Sequence, residues 1–538
     1  MPGQQRAGGE RGQMKRIWRM AAMTGGLIAA PALAQQAVVA GGTLRGTAIA
    51  GPAPVTAFLG IPYAAPPVGP LRWAPPKPAL RWKGVRAADR FGARCMQQPL
   101  FADMMFRSPA HSEDCLTLNV WAPAGTSRGA RLPVLFYIHG GGAIGGDGSE
   151  KRYDGASMAR RGMVVVTMNY RLGVFGFLAT PELAVESPHH AAGNYGLLDQ
   201  AAALDWVRRN AEAFGGDPNK ITIGGESAGS MSVSVLMTSP LTRTHFARAI
   251  GESGGVLPPT FHPKPLAEAA PAGRAFAEAA GAPTLAALRA MPAEQLLGAQ
   301  GQQKFQADFI VDGLFLTETP AASYAAGRAA KVPLLVGSNS QEDEWKSVLG
   351  SAAPTVTNYR AALERLFPGR GASLFALYPA AADTDVPTAA MRLASDRFLG
   401  ASTWQWFDLH RRSGQPTYYY YFARVRPAAL PPLTNDTPAP LGAVHSAEIE
   451  YALGNLDVNP LYRWTTEDRA ISSTMQGYFA TFVKAGDPNA AGLPRWRPAL
   501  PTGDAVTRQV IDVNTRSEPF TFQTSYPQAV MLLDAGSR

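Results

Sequence analysis

Gly225-Glu-Ser227-Ala-Gly229 stands between a short apolar strand, Ile221-Thr-Ile223, and a stretch of helical spacing from Met231 to Leu236. A serine in a sharp strand-to-helix turn has its hydroxyl pushed clear of the backbone, and small residues two before and two after it leave room for that turn. In a chain with 55 glycines the five-residue pattern alone is weak, and it is the flanking strand and helix that make Ser227 a nucleophile candidate. The chemistry it implies is acyl transfer, which needs hydrogen-bond donors where negative charge develops on the carbonyl oxygen. His139-Gly-Gly-Gly142 follows another apolar strand, Pro133–His139, and supplies unhindered backbone N–H groups, joined by that of Ala228. Gly140 to Gly145 also matches the dinucleotide pattern G-x-G-x-x-G. That pattern should open a helix and be followed by a carboxylate at the end of the next strand. Here it runs into Gly146-Asp-Gly-Ser149 and the next strand ends in Asn169-Tyr170, so the nucleotide reading fails.

A strand–serine–helix turn resembles that of the α/β-hydrolases, in which the acid and then the histidine follow the serine along the chain. Of eight histidines only His410 and His445 lie late enough. His410 falls in a helical stretch, Trp404–His410, where packing explains it. His445 follows the Pro- and Gly-rich run 438–442, a loop from which a ring can reach back to Ser227, and it is chosen as general base. The acid should lie just past a strand between the two. After the apolar Val332–Val336 come Glu342, Asp343 and Glu344, and the residues themselves single out none of the three.

These groups need a scaffold. Apolar strands at Pro133–His139, Met163–Tyr170, Ile221–Ile223, Arg248–Ile250, Val332–Val336 and Tyr418–Phe422 alternate with helical stretches at Leu197–Phe214, Met231–Leu236 and Met475–Lys484. Such alternation predicts an α/β fold with a large, mostly parallel sheet covered on both faces. Residues 264–300 are Ala-rich and helical without a strand, as expected of a cap inserted between core elements.

Composition narrows the field further. With 46% hydrophobic residues the chain is not disordered, and 55 Gly with 45 Pro exclude a coiled coil. Two cysteines exclude a disulfide-dense scaffold and any four-Cys metal site. Five basic residues before the apolar run Met20–Ala34, which ends Pro-Ala-Leu-Ala, form the pattern of a signal peptide cleaved after Ala34. Met14 is an alternative start. Fifteen residues with Thr, Gly and Pro are too short to span a bilayer. The expected organisation is therefore a signal peptide, 1–34, and one large domain, 35–538, exported to the periplasm or beyond and without a membrane anchor after cleavage. Removing 1–34 lowers the formal charge from +9 to +5, and with no Lys/Arg run there is no case for a nucleic-acid partner.

Several stretches closely resemble the type-B carboxylesterase/cholinesterase family. They are Phe58-Leu-Gly-Ile-Pro-Tyr-Ala-Ala-Pro-Pro-Val-Gly-Pro-Leu-Arg72, Glu113-Asp-Cys-Leu-Thr-Leu-Asn-Val-Trp121 (with Thr117 where Tyr is usual), Asn169–Leu178, Gly193–Gln200 and Phe214–Gly229. The resemblance runs from about residue 40 to the end, densest up to Gly255. It implies an α/β-hydrolase fold with helical cap insertions and a serine carboxylesterase acting on small-molecule esters, with no metal or cofactor. It assigns the triad as Ser227, Glu342 and His445, the acid by an Asn-x-x-Glu pattern; the family's Asp-Glu-Gly is here Gln341-Glu342-Asp343, and Glu344 is the fallback. It maps the oxyanion donors onto Gly141, Gly142 and Ala228, and puts Glu226 and Ser253 beside the gorge. Cys95 and Cys115 match the family's first disulfide loop. Residues 96–114 carry no Trp, against a choline-ester specificity. The glycine run implies tolerance of bulky, including tertiary, alcohols. Other activities on this scaffold are a silent binding or adhesion protein, and an amidase or lactonase using the same triad.

Overall fold

The computed structural model describes residues 35–430, 439–503, 506–520 and 526–534, so the expected signal peptide lies outside the described residues. Among them, eleven strands form the main sheet: β1 Thr47–Ile49, β2 Val55–Pro62, β3 Thr117–Pro123, β4 Leu132–Ile138, β5 Val164–Met168, β6 Gly216–Glu226, β7 Arg248–Glu252, β8 Leu334–Asn339, β9 Thr417–Phe422, β10 Thr507–Ile511 and β11 Arg516–Pro519. Their spatial order is β11-β10-β9-β8-β7-β6-β4-β5-β3-β2-β1. The pairs from β10 through to β5 are all parallel, and the pairs toward β1 and the β10–β11 pair are antiparallel. The sheet is mixed and mostly parallel, as the sequence predicts.

Parallel strands covered on both faces must be apolar throughout. β5, Val-Val-Val-Thr-Met, is buried at all five positions. The pleat sends alternate side chains to opposite cores. Val134, Phe136 and Ile138 of β4 join one core, with Leu204 and Val207 of α1 (Tyr195–Asn210) and Val233 and Val235 of α2 (Ala228–Leu236). Leu135 and Tyr137 face the other, with Met475, Phe479 and Phe482 of α3 (Thr466–Ala485). The Ala-rich segment after residue 264 forms three helices, Leu266–Ala279, Leu285–Ala290 and Ala293–Gln302, whose Phe276, Leu288 and Leu296 share a smaller core with Trp73, Val174 and Leu178.

Several boundaries differ from the sequence reading: the helix expected over Met475–Lys484 starts at Thr466, and two others bear on the site. The helix expected over 197–214 is α1 followed by a separate 3-10 turn, Ala211–Phe214, closed by Gly215 in the left-handed region. The strand before Ser227 runs to Glu226, because Gly224 and Gly225 keep pairing with Tyr137 and Ile138 on one side and Ile250 and Gly251 on the other. Glycines read as a turn are thus strand, and the turn is compressed onto the serine itself.

Candidate active site

Ser227 occupies that turn with φ 55° and ψ −122°, a strained conformation for a non-glycine residue. Its N–H bonds the carbonyl of Glu252 at the end of β7 (2.8 Å), which pins the turn to the next strand. The flanking glycines are forced by close approach: a Cβ on Gly229 would lie 2.0 Å from the Ile138 carbonyl oxygen, and one on Gly225 2.6 Å from Gly229 carbonyl carbon. The first collision would push the elbow off β4, and the second would force the start of α2 away from the strand before it.

His445 reaches Ser227 from a loop 218 residues later, its Nε2 2.9 Å from Oγ. That loop is tied to the end of β8. Gln341 N–H bonds the Ala443 carbonyl (2.9 Å), the Gln341 side chain accepts from the N–H groups of Leu441 and Gly442, and Asn339 Nδ2 donates to the Val444 carbonyl (2.9 Å). On the far side of the ring, Nδ1 lies 2.7 Å from Glu342 Oε2. Glu342 is 4% exposed, and its other oxygen accepts from Ser253 Oγ (2.6 Å) and Asn339 N–H (2.6 Å). A carboxylate so held orients the imidazole and stabilises its cation. Asp343 instead accepts from Ser347 Oγ and the Glu344 N–H, and the structure does not bring Glu344 to the ring.

Three more carboxylates surround this line. Glu226 Oε1 lies 3.3 Å from His445 Nε2; Glu448 accepts from Asn339 Nδ2 and Ser253 Oγ; Glu252 accepts from Tyr137. All three are buried, and burial raises all of them, Glu226 to about 8 and Glu448 to about 7. For His445, burial opposes the charged ring, but Glu226, then Glu342 and Glu448, outweigh it and lift the ring to about 9. A ring so raised is mostly protonated at neutral pH, and the neutral form that can take the Ser227 proton grows in toward alkaline pH. His139 and His410 behave oppositely. Burial drives each down to about 4; His139 stacks on Tyr170, and His410 is held between Tyr324 and the Val332 carbonyl. His410 is a packing residue, as the sequence suggests.

The glycine run after β4 passes directly beside the serine: a Cβ on Gly140 would sit 3.0 Å from Ser227 Cβ, and one on Gly141 2.4 Å from the Gly145 carbonyl oxygen. Gly141 and Gly142 have φ +101° and +62°. Ala228 is the first residue of α2, where N–H groups have no acceptor within the helix. On its side-chain side Gly142 meets only Ile144, at ordinary van der Waals distance (3.5 Å). Cys95 and Cys115 form a disulfide, and Gln97 inside that loop clamps Gly146, donating to its carbonyl (2.7 Å) and accepting from its N–H (2.9 Å).

A profile of the carboxylesterase family matches residues 34–528. The chain belongs to that family. It is a carboxylic ester hydrolase on the α/β-hydrolase fold. Similar proteins include fumonisin B1 esterase of Sphingopyxis macrogoltabida, 35% identical over 476 residues covering 84% of this chain and 83% of that one. Liver carboxylesterase of Sus scrofa is 34% identical over 498 residues, 82% of this chain and 83% of its own. Among solved structures a PNB esterase superposes with a TM-score of 0.77 at 31% identity, over 92% of this chain and 99% of its own.

Several site residues escaped the sequence reading. Phe398, on a π-helical turn at Asp396–Gly400, stands edge-on to the His445 ring (5.5 Å) and is 40% exposed. Glu252, Asn339 and Glu448 were also unread. Glu448 lay three residues past the chosen histidine, where only the spacing in His445-Ser-Ala-Glu-Ile-Glu450 could have marked it.

Proposed function

We propose that this protein is an exported serine carboxylesterase working through an acyl-enzyme. The observation that carries the reading is the unbroken line Ser227 Oγ to His445 Nε2 (2.9 Å) and Nδ1 to Glu342 Oε2 (2.7 Å). In the first half-reaction Oγ attacks the ester carbonyl as Nε2 takes its proton, and Glu342 balances the charge that appears on the ring. The N–H groups of Gly141, Gly142 and Ala228 receive the oxyanion, a kind of donor worth roughly 3 kcal/mol each. The His445 proton then passes to the departing alkoxide. Water, deprotonated by the same ring, repeats the sequence on the acyl-serine and releases the acid.

The side-chain-free run Gly140–Gly142 beside Ser227, where Gly142 meets only Ile144, supports acceptance of bulky alcohol groups, tertiary ones included. Export is supported by the basic–apolar–Ala-x-Ala pattern of residues 1–34 and by the Cys95–Cys115 bridge, a bond of oxidising compartments. On this reading residues 35–538 are the mature enzyme. Among the described residues no helix is long and apolar enough to cross a membrane.

The test is turnover of p-nitrophenyl esters of graded acyl length with presteady-state sampling. The mechanism predicts a burst of one p-nitrophenol per protein, absent in Ser227→Ala. Steady turnover that survives Ser227→Ala would overturn it.

A further inference from the structure

Arg152 is an internal cation with an unusual set of partners. Its side chain is 2% exposed, and it stands in the segment that leads away from the oxyanion glycines. Its Nε donates to Glu150, itself fully buried; one terminal nitrogen donates both to Asp103 Oδ2 (3.0 Å) and to Ser446 Oγ (3.1 Å). A buried guanidinium is expensive to desolvate, and a single carboxylate would suffice to pair it. The extra branch to Ser446, the residue next to His445, does something a plain ion pair does not.

The segment that carries Arg152 is a fixed point. Residues 146–154 are clamped by the Cys95–Cys115 loop: Gln97 grips Gly146, Arg107 and Ser108 N–H groups share Ser149 Oγ (3.0 and 2.9 Å), Lys151 N–H bonds the Met105 carbonyl, and Arg107 pairs with Asp154 (2.6 Å). Asn455 Nδ2 holds the Arg152 carbonyl (2.8 Å) from a third element. The His445 loop is anchored quite differently. Up to Val444 its bonds run to Asn339 and Gln341, on the acid's side of the site. Immediately after the ring, Ser446 turns into the left-handed region (φ +65°), an uncommon state for serine that needs outside support. Its hydroxyl meets Arg152.

We propose that Arg152 is a positioning residue: through Ser446 it sets the orientation in which His445 presents Nε2 to Ser227, and through Asp103 it ties that orientation to the disulfide loop. The bond to Ser446 thus joins the histidine's turn to the side of the site that carries the oxyanion glycines. The role rests on the triad reading above. Since sub-ångström placement of a catalytic base governs rate rather than affinity, losing the link should lower kcat roughly tenfold to hundredfold with KM changed less than about threefold.

The experiment compares wild type, Ser446→Ala, Arg152→Met and the double variant, with kcat expressed per serine labelled by a fluorophosphonate so that misfolded molecules do not count. Each single variant should lower kcat, and the double should be no slower than Arg152→Met, because both cut one connection. A purely structural Arg152 lowers Tm and leaves kcat per labelled site at the wild-type value, which overturns the proposal, as does a double variant in which the two losses multiply. If Arg152→Met does not fold, Ser446→Ala decides alone, since it leaves Glu150, Arg152 and Asp103 paired: unchanged kcat refutes the role. Wild type that neither labels nor turns over refutes the triad reading itself, and the Arg152 role with it.

Discussion

Replacing Glu226 by Gln tests the electrostatics around the histidine. After burial, which opposes protonation, the Glu226 charge is the largest influence on His445, and it raises the ring. Its Oε1 lies 3.3 Å from Nε2. Two unit charges at that distance attract by about 5 kcal/mol at an effective dielectric of 20. Below about pH 8 Glu226 is itself mostly protonated, so the ring feels only part of that. The amide is uncharged at every pH, so the protonated ring loses its support and its pKa falls. The expected displacement is roughly one to two pH units, about 1.4–2.7 kcal/mol. The assay is kcat/KM for a p-nitrophenyl ester from pH 5 to 10, whose acid limb reports the base in the free enzyme. In wild type that limb should lie above the ordinary histidine value, and in Glu226→Gln it should move to lower pH. A limb that stays in place or moves upward would refute the argument that this carboxylate governs the ring.

Glu342→Gln should cut kcat by about three orders of magnitude or more, as loss of the triad carboxylate leaves the imidazole unsupported, while Glu344→Gln should leave it near wild type; steady-state kinetics of the two variants checks this. A panel including tert-butyl esters should show measurable hydrolysis, and a strict limit to primary alcohols would contradict the role given to the side-chain-free run Gly140–Gly142. Cys95→Ser with Cys115→Ser should lower stability by about 3 kcal/mol in denaturant titration, since the bridge closes a loop of nineteen intervening residues. His410 should make the fold acid-sensitive. Its folded pKa is about 4 against about 6.5 unfolded, so the unfolded chain takes the proton first; stability is full above pH 6.5 and falls by up to about 3 kcal/mol as pH drops to 4. Urea midpoints between pH 7 and 4 should decline less steeply in His410→Gln.

The mostly parallel sheet is legible because buried parallel strands are short apolar runs, as β4 and β5 show, while the spatial order of the strands is not written in any one of them. The elbow is legible because its small residues stand at fixed places two before and two after Ser227, although the collision that demands Gly229 comes from the distant Ile138. Glu342 was not readable from its own neighbourhood. Three carboxylates in a row differ only in which one the β8 turn aims at His445, and family resemblance alone distinguished them. The contacts of Arg152 with Asp103 and Ser446 span 49 and 294 residues, and no local pattern encodes a pairing at such separations. Phe398 depends on a π-helical turn whose insertion into a helical stretch carries no compositional mark. Glu226 was named on resemblance, but its influence on the ring comes from an absence of solvent that only the packed structure supplies.

The central claim is that Ser227, activated by His445, becomes the acyl carrier. It is tested most directly by exposing the folded protein to a fluorophosphonate, then measuring intact mass and mapping the labelled peptide. The account predicts one adduct per chain, on Ser227, with activity lost in proportion and no labelling in His445→Ala on the same timescale. A folded, active protein that takes up no label at Ser227 would contradict it.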